Sequence, residues 1–170
     1  MKILIKIALG IIAVGAVFVS QIKTDKTDYI RIHITANSNE EIDRELKLDI
    51  KDLVNSILVD KLFNAKSKSE GIKIIQDNIE DIELRCNRLI STKGFNYCAK
   101  VELTNEYCPS RKYSNTTLES GYYDVLKLSL GEGNGDNWWC VVYPPLCFAK
   151  NENKVNFSSR IKDWTSKIFD

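Results

Sequence analysis

From residue 29 the chain alternates strictly, with Ile30, Ile32 and Ile34 on one side and Tyr29, Arg31, His33 and Thr35 on the other. A period of two predicts a half-buried strand. Ala36-Asn37-Ser38-Asn39 ends it, and Ser38 with Glu41 has the spacing of a helix capping box. Ile42, Leu46, Ile50, Leu53, Ile57 and Leu58 then recur at helical intervals as far as Phe63. A polar break over 64–69 precedes Ile72, Ile75, Ile79, Ile82, Cys86 and Leu89, whose steps of three and four predict a single second helix. Lys93-Gly94 closes it, glycine being suited to a left-handed C-terminal position.

The second half returns to a period of two. Tyr97, Ala99, Val101 and Leu103 alternate with Cys98, Lys100, Glu102 and Thr104. Residues 105–120 read as irregular, and from Tyr122 a strand follows in which Leu126, Leu128 and Leu130 share a face. A glycine-rich turn region, 131–137, leads into a last strand over 138–143. Both faces of that strand are apolar or aromatic, so it is expected to be central or covered on both sides. The fold class is therefore α+β: an antiparallel or mixed β-sheet, β-α-α-β-β-β, with two helices packed on one face.

The ends of the chain differ from this centre. Lys2 and Lys6 precede Ile7 to Val19, thirteen residues without a polar side chain, and residues 23–28 are hydrophilic. A basic start, a short apolar stretch and an abrupt polar flank describe an export signal. Residues 1–22 are expected to be a signal peptide or a retained signal-anchor helix, and residues 23–28 a polar tether. The positive-inside rule leaves Lys2 and Lys6 in the cytoplasm and puts the rest across the membrane. Residues 29–148 form the main domain. Residues 149–170 form an amphipathic tail, with Phe157, Ile161, Trp164 and Ile168 at helical spacing, expected to dock on the core.

Composition removes several function classes. A formal charge of +1 gives no polyanion-binding surface, so nucleic-acid binding is not expected. There is one histidine, His33, and no C-x-x-C, so no metal site is expected. The glycines at 131, 133 and 135 run from strand into strand, whereas phosphate loops run from strand into helix. They are expected to supply positive φ in a hairpin loop.

Any histidine-dependent catalysis would need His33 beside a cysteine or a carboxylate, and nothing in the spacing demands it. Cys140 and Cys147 bracket Pro144 and Pro145, which must break the strand. A bend there returns Cys147 toward Cys140, giving either a disulfide across an eight-residue loop or two free thiols. Trp138 and Trp139 point to opposite faces of a regular strand. That leaves one for the core and one for solvent or a partner, unless loops cover both.

Three stretches carry a resemblance. They are Arg31-Ile-His-Ile-Thr-Ala-Asn-Ser38, Leu46-Lys-Leu-Asp-Ile-Lys-Asp52, and Gly131-Glu-Gly-Asn-Gly-Asp-Asn-Trp-Trp-Cys-Val-Val-Tyr-Pro-Pro-Leu-Cys147. Together they resemble the stage II sporulation protein R family, whose pattern reads similarly as R-x-H-V-I-A-N-S, L-K-L-x-V-R-D and G-E-G-x-G-x-N-W-W-C-V-L-F-P-P-L-C. The chain departs from that pattern at Cys108-Pro109 and at Glu119-Ser120-Gly121, and Cys86, Cys98 and Cys108 lie outside it.

The resemblance implies a non-enzymatic signalling protein of endospore formation. Such a protein is exported into the space between forespore and mother-cell membranes. There it activates the membrane-embedded aspartic protease SpoIIGA, which then cleaves pro-sigma-E. No cofactor and no small-molecule substrate are implied. The expected partner surface is Asn137, Trp138, Trp139, Pro144 and Pro145, with His33 and Asn37. The rival reading is a membrane-anchored extracytoplasmic hydrolase using His33 with a cysteine or carboxylate.

Overall fold

Ile30, Ile32 and Ile34 lie at the centre of the molecule, each with at most 1% of its surface exposed. Burying one such side chain contributes about 1.5–3 kcal/mol, and the fold is arranged around this strand. The computed structural model describes residues 28–113 and 116–145. In chain order these form β1 (Ile30–Thr35), α1 (Glu41–Phe63), α2 (Lys68–Gln76), α3 (Ile79–Thr92) and β2 (Ala99–Cys108). Then come β3 (Arg111–Tyr113), β4 (Thr116–Leu118), β5 (Gly121–Leu130) and β6 (Asn137–Tyr143).

The main sheet has the order β2-β5-β1-β6, and β3 and β4 form a separate two-stranded ribbon. β1 runs parallel to β5 and antiparallel to β6, and β2 runs antiparallel to β5, so the sheet is mixed. One face carries Val101, Leu126, Leu128, Ile32, Ile34 and Cys140. It packs on Leu46, Ile50, Val54 and Leu58 of α1, Ile75 of α2, and Ile82, Cys86 and Ile90 of α3. All three helices therefore contribute to the core on one face, as the alternation of the strands requires.

Several expectations are corrected by this arrangement. β1 is buried along its whole length because it has strands on both sides, and its polar face is covered too. The second helix is two: α2 stops at Gln76 and α3 starts at Ile79. Asn78 donates from its side chain to the Ile74 carbonyl (2.7 Å), the local competition with the helix ladder that Asn brings. The capping box does not form at Ser38, because the helix starts at Glu41 with Glu40 in the N-cap position; Ser38 Oγ instead accepts from Glu40 N (3.1 Å) and donates to Asp43. A close variant forms at Ser67, which accepts from Glu70 N while Glu70 accepts from Lys66 N.

The stretch read as irregular holds the end of β2 and the ribbon. Its polar text and three-residue strands gave no alternation to detect. The glycine-rich loop is not a hairpin, since β1 lies between β5 and β6; the loop crosses the end of β1. β6 is an edge strand, although Cys140 to Tyr143 are buried. The opposite edge, β2, is covered by α3: Asn87 accepts from Ala99 N (2.7 Å) and Glu83 accepts from Val101 N (2.8 Å).

Gly94 takes the expected left-handed conformation after α3, with φ 85°. The export segment, the tether up to residue 27, Cys147 and the tail lie outside the described residues. Among the described residues no helix is long and apolar enough to cross a membrane.

Candidate functional site

The strand period that sends Ile30, Ile32 and Ile34 into the helical core sends Arg31, His33 and Thr35 to the other face of the sheet. There β6 lies beside them, with Trp139 opposite His33 and Asn137 opposite Thr35. The His33 and Trp139 rings stack, 3.7 Å between centroids and 10° between planes. His33 Nδ1 is 2.8 Å from Glu106 Oε1, and its Nε2 is 2.7 Å from Asn137 Oδ1 and 3.1 Å from Thr35 Oγ1. Lys127 of β5 pairs with the second oxygen of Glu106 at 3.3 Å. The imidazole is therefore held on both nitrogens and on one ring face, and is 8% exposed.

Arg31, whose surface is fully buried, also lies against Trp139. Its guanidinium carbon is 5.2 Å from the ring centre of Tyr123, 5.3 Å from that of Trp139 and 6.0 Å from that of Tyr113. Nη1 donates to the Pro109 carbonyl (2.9 Å) and Nη2 to the Tyr113 hydroxyl (3.0 Å). Both acceptors belong to β3 or to the turn before it, so Arg31 ties the ribbon to the sheet. Val125 and Cys108 complete an apolar patch with Tyr123, against which Tyr29 and Trp139 pack.

A second cluster sets the position of the first. Asn37 and Ser38 donate to Asp43 Oδ2 (2.9 and 2.6 Å), and Tyr97 donates to Asp43 Oδ1 (2.5 Å). Burial alone would raise the Asp43 carboxyl, but the hydrogen bonds from Ser38, Tyr97 and Asn37 hold it below its ordinary value. Burial, with the bond to Asp43, pushes the Tyr97 hydroxyl upward. Asn37 also accepts from Glu132 N (3.0 Å) through its side chain and from Asn134 N (3.1 Å) through its carbonyl. Asp136 N donates to Asn39 Oδ1 (2.7 Å), and Lys47, itself buried, donates to the Asp136 carbonyl (2.7 Å).

The glycine-rich loop is thus latched onto residues 36–39, and the latch delivers Asn137 and Trp139 to His33. A β-carbon on Gly135 would collide with the Ser38 carbonyl, and one on Gly131 with the Asn37 side chain. Gly131 and Gly133 also have positive φ, 55° and 63°. These glycines serve a close backbone approach and a turn.

Of the residues expected to meet a partner, the structure brings together His33, Trp139 and Asn137. Trp138 lies on the opposite face, packed against the helical core, so the two tryptophans diverge as the strand period requires. Asn37 belongs to the latch. Pro144 and Pro145 are buried beyond the far end of β6, after a cis Tyr143–Pro144 bond, roughly 20 Å along the strand from Asn137.

Sequence reasoning missed Arg31, Glu106, Tyr113 and Tyr123. Arg31 carried a signal, since it stands in phase with His33 on a strand whose other face is all isoleucine. Glu106 and Tyr113 lay in the stretch without a pattern. The Glu106 carboxylate and the Thr35 hydroxyl lie on the two nitrogens of His33, and neither Cys140 nor Cys108 is hydrogen-bonded to it. Cys140 sits on the core face, opposite to His33, and Cys108 Sγ lies 3.6 Å from the Glu106 carbonyl. Cys86, Cys98 and Cys108 are not in disulfides.

A family model described as stage II sporulation protein R (spore_II_R) matches residues 26–153. The chain is 32% identical over 124 residues to a Bacillus subtilis (strain 168) protein described as stage II sporulation protein R. That alignment takes in 73% of this chain and 55% of the relative, so the matched part spans about half of the curated protein's length. No solved structure matches the chain.

Proposed function

This chain belongs to the stage II sporulation protein R family, and from that premise, which supports a role in sporulation, we propose that it is an exported intercellular signal. It acts between the forespore and mother-cell membranes, either anchored by residues 1–22 or released from them. It activates the membrane-embedded aspartic protease SpoIIGA by binding, and the protease then processes pro-sigma-E. The chain makes and breaks no bonds itself, apart from a disulfide between Cys140 and Cys147 that closes the turn after β6.

One observation carries the reading. Two family-like stretches distant in sequence, Arg31–Ser38 and Gly131–Tyr143, meet in one place, where His33, Trp139 and Asn137 touch. The non-catalytic part of the proposal is supported by His33 itself, whose two ring nitrogens and one face are already engaged. A general base must reach the proton of a substrate or nucleophile, and here the atom nearest Nε2 is the Asn137 amide oxygen, with His33 only 8% exposed. A buried, fully partnered imidazole instead fixes the shape of a surface. Binding would then shift the protease toward its active state, to the extent that the active form is bound more tightly.

The test is reconstitution. The chain is co-expressed with the protease and pro-sigma-E in a host that does not sporulate, and processing is followed by immunoblot. Processing that depends on this chain is expected. Processing that is the same with and without it would reject activation.

A further inference from the structure

Arg31 is a buried cation whose guanidinium is only partly used. It makes no ion pair among the described residues, and its Nε is a buried nitrogen with no hydrogen-bond partner. The surrounding rings of Tyr123, Trp139 and Tyr113 offset some of the desolvation. They do not supply an acceptor. An uncompensated buried charge is among the costlier features a fold can keep. If tying the ribbon were its only task, a neutral donor would bind the Pro109 carbonyl and the Tyr113 hydroxyl without that cost.

The geometry of the unused edge is specific. Nε and Nη2 point the same way, and this pair is the fork that a carboxylate takes side-on, one oxygen to each nitrogen. In Arg31 the Nη2 half is held by the neutral Tyr113 hydroxyl at 3.0 Å, and the Nε half by nothing. Among the described residues, the carboxylate engaged with this part of the face is Glu106, and it is already shared between His33 and Lys127. Nearby on the ribbon, Arg111 and Lys112 are exposed and add further positive charge.

We propose that Arg31 is a receptor for an aspartate or glutamate side chain of the protein partner, which binds the Nε–Nη2 edge and displaces the Tyr113 hydroxyl. Arg31 has no solvent exposure, so a carboxylate reaches it only when the β3–β4 ribbon moves. Binding and ribbon displacement are therefore one event, and occupancy of Arg31 is converted into a change of shape at the surface. The bearer of the carboxylate rests on the signalling reading above; the chemistry at Arg31 does not.

The test uses the full chain, isotope-labelled, in zwitterionic detergent micelles, with the Arg31 Nε–H and Trp139 indole N–H resonances followed by NMR. The probes are acetyl-Gly-Glu-Gly-amide, its Gln counterpart, sodium acetate and sodium chloride at matched ionic strength. The expected result is a saturable shift of the Arg31 Nε–H with the Glu peptide and none with the Gln peptide or chloride. Tyr113→Phe, which frees Nη2 and loosens the ribbon, should tighten that binding at least threefold, whereas a purely structural Arg31 predicts only lower stability.

No saturable shift in either the wild type or Tyr113→Phe overturns the proposal, as does an equal shift with the Gln peptide or chloride. Acetate binding as tightly as the Glu peptide would assign the site to free small acids and overturn the protein-partner part. None of these outcomes depends on protease activation, so failure here and failure of the reconstitution are separate results.

Discussion

Trp139 lies flat on His33, 3.7 Å away, and its other neighbour is the Arg31 guanidinium at 5.3 Å. A single indole thus touches both the one histidine of the chain and the most deeply buried cation among the described residues. The three side chains come from two strands that are more than a hundred residues apart in sequence and adjacent in space. This layer stands on the sheet face that the helices leave open.

Removing the indole should be costly in two ways. For the half-buried Trp139, Trp139→Ala should lower stability by about 2–3 kcal/mol, somewhat below the loss at a fully buried aromatic. It should also abolish processing in the reconstituted system at temperatures where the variant is folded. Trp139→Phe, which keeps a ring over His33, should retain most of the signal. Normal processing by folded Trp139→Ala would remove this face from the proposed interface.

His33 should matter as a brace and not as a base. His33→Phe keeps a ring against Trp139 but leaves Glu106 and Asn137 without their partner, a loss of about 1–3 kcal/mol by the cost of unmet hydrogen bonds. The urea midpoint should fall accordingly, with signalling retained wherever the variant is folded. If His33→Phe folds stably and yet fails to support processing, the imidazole has a role beyond packing.

Much of this layout was legible in the sequence, because burial has a period. The isoleucines of β1, the leucines of β5 and the divergence of Trp138 from Trp139 all follow from a repeat of two. What the repeat cannot show is which strands are neighbours. The glycine-rich loop has the composition of a hairpin, yet β1 inserts between its two strands. The loop's contacts with Asn37 and Lys47 are tertiary and leave no local trace. The break between α2 and α3 was hidden because Ile75, Ile79 and Ile82 keep helical spacing through Asp77 and Asn78. The ribbon escaped for the opposite reason, since three residues are too few to display any period.

The latch at Asp43 gives a pH dependence whose sign is fixed. A carboxyl held below its ordinary value in the folded chain stabilises the fold at pH values above its unfolded pKa of about 3.9. That contribution disappears as the pH falls through the lower folded value. Asp43→Asn should therefore cost about 1–3 kcal/mol near neutral pH, the range for a disrupted buried network, and markedly less below the folded value. Denaturant midpoints of both chains, compared at neutral pH and in strong acid, measure the difference. An unchanged gap in acid would mean that the ionised carboxylate is not what holds the loop.

The three glycines of the loop should rank by what a methyl group meets. At Gly133 the nearest atoms are 3.9 Å away, so Gly133→Ala bears only the cost of φ 63°, about 1 kcal/mol. Gly131→Ala adds a collision with Asn37 to its φ of 55°. Gly135→Ala meets backbone at Ser38, which cannot rotate away. Both should cost about 2–3 kcal/mol or more, as overpacking against fixed atoms does, and thermal denaturation of the three variants reads the order. Gly133→Ala emerging as the most damaging would contradict the latch.

The cysteines should separate by burial alone. Cys98 is exposed, whereas Cys86 and Cys108 are buried, and burial together with the Glu83 charge pushes the Cys86 thiol up to about 12. The thiolate is the reactive form. An aromatic disulfide reagent added to the native chain near neutral pH should therefore meet Cys98 quickly and the other two only as the fold opens. After denaturation without reductant, the proposed Cys140–Cys147 bridge leaves three titratable thiols, namely Cys86, Cys98 and Cys108. All five cysteines of the chain should titrate only once reductant has been used. Five thiols in the unreduced chain recovered from an oxidising compartment would eliminate the bridge, and the turn after β6 would then be held by its prolines and packing alone.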